Sequence, residues 1–463
     1  PRSESLRAIR TGMAPCAEAL TGKPEGDGVL AQGGERVFAS EHDLPEDAVA
    51  IDGVVYSLRG WNHPGGDQIL LFGGNDVSVQ YRMIHPFHAP GVVGKMPKIG
   101  VLESYRKDYS FGSKFEKDLI EAVGKVVKPN QRFATPGFCM RLVFYISLYS
   151  VLMYSYVVYG SSWLLCAALG VSQALIGLNV QHDANHGAIS RFPVVNEILG
   201  FGADLIGGSK YLWLQQHWTH HAYTNDIERD PDAKSCDPFF LFHNYPHDSP
   251  MRKAFHAFQH FWMLPILSFY WLSSIVSSEA ISVTHISSKQ GGMRFENSYL
   301  KNHRIQTWLL RAFYLACTSL SPFYHHQWHT ALLHVWFMSV VESLSLAIPF
   351  ALSHNFEDAE RHPLDAGNGE PVDWYKSQVE TSSTYGGKVA GWITGGLNFQ
   401  VEHHLFPRMS SAWYPYIQPV VSEVCKKHGV RYAYYPSFFH NLFSTVKYIR
   451  DVGTGAIAMK KKN

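Results

Sequence analysis

Two apolar stretches, residues 142–159 and 163–180, are separated only by Gly160-Ser161-Ser162. Each approaches the roughly 20 residues a helix needs to cross a ~30 Å hydrocarbon core. Inside lipid the backbone must satisfy its own hydrogen bonds, so the pair is expected as a helical hairpin. Lys125, Lys128, Arg132 and Arg141 precede the first stretch, whereas the Gly160 turn carries no charge. The positive-inside rule then places the N-terminal part, and the end of the second stretch, in the cytosol.

Composition agrees with a part-membrane chain: charged residues are 17%, below the ~25% of soluble domains. Forty basic against 39 acidic residues leave no field to steer nucleic acid, so no such partner is expected. Six cysteines, at 16, 139, 166, 236, 317 and 425, form no CxxC and no paired spacing. They read as reduced, structural thiols.

The 25 histidines exceed what packing requires. His182-Asp183-Ala184-Asn185-His186 stands directly after the second stretch, followed by His217-Trp218-Thr219-His220-His221 and later by Gln400-Val401-Glu402-His403-His404. On a helix, residues three and four apart share a face, so each group can converge on a centre. Adjacent residues diverge by about 100°. His220/His221 and His403/His404 therefore suit two ions better than one. Imidazole binds iron, copper, zinc or nickel, so ligand type alone does not name the metal. A zincin would need glutamate after His182, and Asp183 is one methylene short.

Residues 195–213 are apolar but interrupted by Gly200, Gly202, Gly207 and Gly208, and read as a helix lying in the interface. Three more apolar stretches follow, 258–277, 307–324 and 332–352. If the histidine groups share a membrane face, an even number of crossings separates them. Arg311 makes 307–324 the expected non-crossing member on composition, although its short link to 332 also suits a hairpin. Residues 365–382 read as a polar loop, and 410–463 as soluble in character.

The leader, residues 1–36, has too little apolar content to fold and lacks a signal-peptide core. Residues 37–105 read as a small soluble domain. It has a hairpin around Asp52-Gly53, then Trp61-Asn62-His63-Pro64-Gly65-Gly66, a short helical run to Gly73-Gly74, and Tyr81 to His88. Two neutral imidazoles on opposite walls of an apolar pocket can hold a haem iron and pass single electrons. In the connector, residues 106–137, Phe115, Leu119, Ile120, Val123 and Val126 recur at helical spacing, on protein or on membrane.

The His-Pro-Gly-Gly motif, the preceding strand pair and the downstream histidine resemble cytochrome b5. The resemblance implies haem b on His63 and His85, with His88 as the alternative second ligand. The three histidine groups resemble the boxes of the membrane fatty acid desaturase and hydroxylase superfamily. Gln400 in place of histidine, together with the b5 fusion, resembles its front-end desaturases. That resemblance implies an α+β b5-like domain followed by an all-α integral membrane domain, residues 138–440. About four transmembrane helices with a cytosolic histidine-rich cap are expected there, then a tail, 441–463.

It also implies two non-haem irons held by His182, His186, His217, His220, His221, His354, Gln400, His403 and His404. Gln400 acts directly or through water. Asp183, Asn185, Asp230 and Asp232 are candidate groups for orienting the imidazoles, with solvated loop positions the alternative for the last two. The implied reaction consumes O2, with electrons from NADH arriving through a b5 reductase. Stretches 179–186, 213–224 and 394–416 are similar to microalgal desaturases acting at Δ5 of C20 acyl chains. Δ6, Δ8 and sphingolipid long-chain-base desaturation are the alternatives. The acyl carrier is phospholipid or CoA. Lys460-Lys461-Lys462-Asn463 resembles an endoplasmic-reticulum retrieval signal, which implies that membrane with both termini cytosolic. The competing class is a haem-bearing electron carrier or metal transporter, which leaves the boxed histidines idle.

Overall fold

The computed structural model describes residues 29–30, 36–63, 65–86, 93–272, 298–361 and 370–457. Nearly all of the leader, His88 and the lysine tail fall outside the described residues. Asp52 and Gly53 take positive φ, 51° and 78°, the conformation a two-residue hairpin turn requires. They join β3 (Ala48–Ile51) to β4 (Val54–Ser57), with Ile51 opposite Val54. These strands lie in a six-stranded sheet with β1 (Val29–Leu30), β2 (Arg36–Phe38), β5 (Asn75–Asp76) and β6 (Lys98–Leu102), in the order β1-β2-β6-β4-β3-β5. Successive side chains alternate between faces. Ala48 and Ala50 enter a small core with Phe38, Val55 and Leu102. Val49 and Ile51 enter the larger apolar core, which continues through Phe115 and Trp218 to Phe406.

The connector is ordered. Its helix Lys114–Val126 buries Phe115, Leu119 and Val123, and Asp118 meets Lys427 at 2.7 Å and His428 at 2.9 Å. It packs on protein, against the helix Tyr414–His428.

Among the described residues three helices are long and apolar enough to cross a membrane: Pro129–Tyr159, Trp163–Asn185 and Trp328–His354. Within the first, Thr135 caps the α-helix Pro136–Tyr159, and Ser162 caps the second, their hydroxyls accepting from Phe138 and Leu165 N–H groups. The second passes through a π-helical turn, Ile176–Gln181, immediately before His182. Such turns recur at functional sites because they re-aim the following side chains.

The expectation for 307–324 is corrected. The helix Ser298–Tyr314 continues through Leu315–Leu320 and Pro322–His325 beside the first spanning helix. Tyr156 donates to the Thr318 carbonyl (3.2 Å), while the His325 and His326 rings reach the carbonyls of Val157 and Ser161, both at 2.8 Å. It therefore ends at the Gly160 turn, opposite His182, and Trp328–His354 brings the chain back. Arg311 does not prevent this, because its guanidinium donates to the Gly207 carbonyl at 2.7 Å. Stretch 258–277, described as far as 272, contains the short helix Gln259–Leu267, and helix resumes at 270–272. Gln259 is tied there to the Ile449 carbonyl at 2.9 Å.

Two other expectations change. Residues 195–213 are three pieces rather than one helix, within Pro193–Gly200, Gly202–Leu205 and the start of Lys210–Ala222. The breaks fall at the glycines, including Gly207 with φ 91°. Within 365–382 the chain forms the helix Trp374–Glu380, stabilised by the buried Trp374 and Val379.

Candidate metal centre

The histidine groups sit on helices that end at one level. His182 opens the turn His182–Asn185, His217 to His221 close Lys210–Ala222, His354 ends Trp328–His354, and Gln400–Leu405 carries the third group. Potential ligand atoms of His182, His186, His217 and His403 lie within 4.8 Å of one another, and so do those of His220, His354 and His404. His221 joins His403 and His404 between them. The adjacent pairs thus divide between two clusters, as their helical divergence requires. Gln400 belongs with the second: its amide nitrogen lies 2.9 Å from His354 Nε2 and 3.1 Å from His404 Nε2.

The chemistry of this donor set fits metal. His182 and His186 have both ring nitrogens buried without a hydrogen-bond partner, as are His403 Nε2 and Gln400 Oε1. Buried polar atoms left unpaired are costly, and here they collect around common points. Burial, reinforced by neighbouring imidazoles, pushes His186, His217, His221, His403 and His404 well below the usual histidine range. Neutral imidazole is the metal-binding form. At His220 burial works against the cation, but the Asp230 and Asp232 carboxylates outweigh it and raise the pKa to about 9.

The ring nitrogens facing away from the clusters are held by specific partners. His220 Nδ1 lies 3.0 Å from Asp230, His354 Nδ1 donates to the Thr381 carbonyl (3.0 Å), and His403 Nδ1 meets Tyr414 Oη (3.1 Å). His404 Nδ1 is 2.8 Å from Gln378 Oε1 and 3.0 Å from Thr224 Oγ1. Asp230 is therefore a buried orienting group rather than a solvated loop residue, whereas Asp232 stays partly exposed and bonds Gln216. Asp183 Oδ1 lies 3.7 Å from His182 Nδ1, and both Asp183 and Asn185 also tie neighbouring segments together. Asp183 accepts from Ser410 and Ser411, and Asn185 bonds Gln181 and the Gly200 carbonyl. Glu402 points away, accepting from Thr384 and Tyr432. Thr224, Gln378, Thr381 and Tyr414 escaped the sequence reading because nothing in their type or spacing marks them.

The profile of the fatty acid desaturase family matches residues 161–436, which include every histidine of both clusters. The chain belongs to the fatty acid desaturase family. It is 32% identical over 432 residues to an acyl-lipid (7-3)-desaturase of Rebecca salina, covering 89% of this chain and 91% of the relative. An acyl-lipid (7-3)-desaturase of Diacronema lutheri is 31% identical over 435 residues, 89% and 92% of the two chains. An acyl-lipid (8-3)-desaturase of Mortierella alpina is 30% identical over 427 residues, 88% and 93%. This desaturase is accordingly a membrane-type oxidoreductase.

In the desaturase's N-terminal part, the His63 and His85 rings face each other edge-on with centroids 6.0 Å apart. Gly65 N–H donates to His63 Nδ1 (3.1 Å), and His85 Nδ1 lies 2.9 Å from the Tyr81 carbonyl. Both rings line a cavity of about 810 Å³ with Ile51, Phe72, Ile84 and Val93. A flat apolar macrocycle fits such a wall. Trp218 and Arg408 also line it, and the Trp218 ring lies 4.7 Å from that of His186.

Proposed function

We propose that this desaturase is a front-end acyl-lipid desaturase that inserts a cis double bond at Δ5 of C20 polyunsaturated chains. The observation that carries the reading is the meeting of eight histidines and Gln400, from four separate parts of the chain, at one buried centre. Those nine residues would hold two non-haem irons, which when bound supply O2 activation and hydrogen abstraction from neighbouring methylenes. His63 and His85 would hold haem b, which supplies single electrons received from NADH through a b5 reductase. The chain's own contribution is geometry and dryness. Thr381, Gln378, Tyr414 and Asp230 fix the imidazole planes, and the burial of the site excludes water that would quench the reaction.

Trp218, shared between the cavity and His186, supports an internal electron route from the domain 37–105 to the domain 138–440. The relatives' names support a lipid-bound acyl chain over a CoA thioester. We place the N-terminal domain and the histidine groups on the cytosolic face of the membrane, from the charge pattern ahead of the first spanning helix. A second reading, the 7-3 position, is favoured by the relative at 32% identity. Expression in a host without polyunsaturated acids, fed C18, C20 and C22 precursors, separates the readings. New Δ5 bonds in C20 chains are expected in the phospholipid fraction. Product from C22 precursors alone favours the second reading.

A further inference from the structure

Arg408 stands four residues after His404, where the chain leaves the third histidine group. Its guanidinium lies in the wall of the cavity between two glycines, each near a proposed ligand. A β-carbon on Gly187, next to His186, would sit 2.7 Å from Arg408 Nη2, and one on Gly65, two residues from His63, 3.8 Å from Nη1. Gly187 has φ 65°, so both its conformation and its contact with Arg408 call for glycine.

Among the described residues the guanidinium has no ion-pair partner. Its Nε is buried without a hydrogen-bond partner. The charged neighbour that acts on it is another cation, Arg132, whose Nε donates to the Arg408 carbonyl at 3.1 Å. Burial, with Arg132 beside it, lowers the Arg408 pKa to about 10. The carboxylates lining the same cavity are Asp67 and Glu197. Glu197 is taken by Lys210 at 2.6 Å and Tyr299 at 3.0 Å, while Asp67 is exposed to solvent. A cation held in a largely apolar wall without a counter-ion is costly, so the cavity calls for an anionic occupant.

We propose that Arg408 binds a propionate carboxylate of the haem, so that the residue ending the third histidine group also closes the haem pocket. The inference rests on the haem reading of His63 and His85. Both rings, Gly187 and Arg408 line one cavity that is partly open to solvent, and the carboxylate-bearing occupant it would take is the haem itself. A planar guanidinium and a carboxylate make paired, charge-assisted hydrogen bonds. Seating the haem would then brace the turn that follows His403 and His404.

The test uses the full chain in detergent, loaded with haem b or with its dimethyl ester, whose propionates cannot ionise. The wild type should release the ester about tenfold faster than haem b, the scale of a lost charge-assisted bond. Arg408→Gln should erase that difference and move the haem potential to more negative values, since a nearby cation favours the reduced state. Arg408→Lys should restore part of both. Non-haem iron content and the melting curve report whether the variants fold. Equal release of both haems by the wild type overturns the proposal, and so does an Arg408→Gln protein that still discriminates. Discrimination that persists while anionic-phospholipid dependence is lost assigns Arg408 to a lipid phosphate instead, and also overturns it. A wild type that takes up no haem fails before any substitution, and removes the electron-donor reading with it.

Discussion

The Asp230 carboxylate lies 3.0 Å from His220 Nδ1, and also accepts the backbone N–H groups of Asn225 at 2.8 Å and Asp232 at 2.9 Å. Asn225, with φ 59°, turns the chain so that Asp230, ten positions beyond His220, reaches back to the helix. The carboxylate fixes the ring's plane and leaves Nε2 toward His354. Asp230→Asn keeps the shape but not the charge. Iron affinity should fall about 10- to 100-fold, read as non-haem iron per protein with the haem spectrum unchanged. Full iron loading would show that Asp230 does not orient a ligand.

His63→Ala and His85→Ala should each abolish the low-spin haem spectrum and NADH-driven product formation while leaving non-haem iron in place. The clusters and the cavity are built from different residues, so loss of one should spare the other. Normal turnover without the haem would refute the internal donor. An intact spectrum in His85→Ala would transfer the second ligand to His88.

Tyr159 and Tyr324 are 75% and 89% exposed at the same end of the helix group, opposite the metal centre. In a cysteine-free background, cysteines at both positions should react with an impermeant thiol reagent from the same membrane side. A cysteine at exposed Phe439 should react from the other. Labelling of 159 and 324 from opposite sides would reinstate 307–324 as a non-crossing segment.

His243 is buried, its Nδ1 3.0 Å from the Ala233 carbonyl. Burial first, then the Arg361 charge, depress its pKa to about 4. The unfolded chain takes up this proton near the ordinary value of about 6.5, but the folded chain not until about 4. The stabilising share is therefore whole above pH 6.5 and lost as pH falls toward 4, at most about 3 kcal/mol. His243→Gln should flatten the fall in melting temperature across that window. An unchanged slope would exclude His243 as its source.

Much of the architecture was legible in local pattern. Asp52-Gly53 predicts a hairpin, the spacing of His182 and His186 predicts a shared face, and the apolar lengths of 142–159 and 163–180 predict spanning helices. These are short-range properties, set by backbone sterics and by the thickness of the membrane. Arg311 misled the reading because composition records a charge but not the Gly207 carbonyl, 104 positions away, that receives it.

The sequence by itself determined which residues could bind metal, because imidazole spacing on a helix is a local matter. Only the tertiary structure decided how they divide: His403 with His182, His186 and His217, His404 with His220 and His354. It alone supplied Thr381, Gln378 and Tyr414 as their supports, and brought Arg408 beside Gly65. Those juxtapositions arise from packing between separate elements: His403 and Tyr414 are 11 positions apart and His354 and Thr381 27, and a hydrogen bond between elements leaves no periodic trace in the chain.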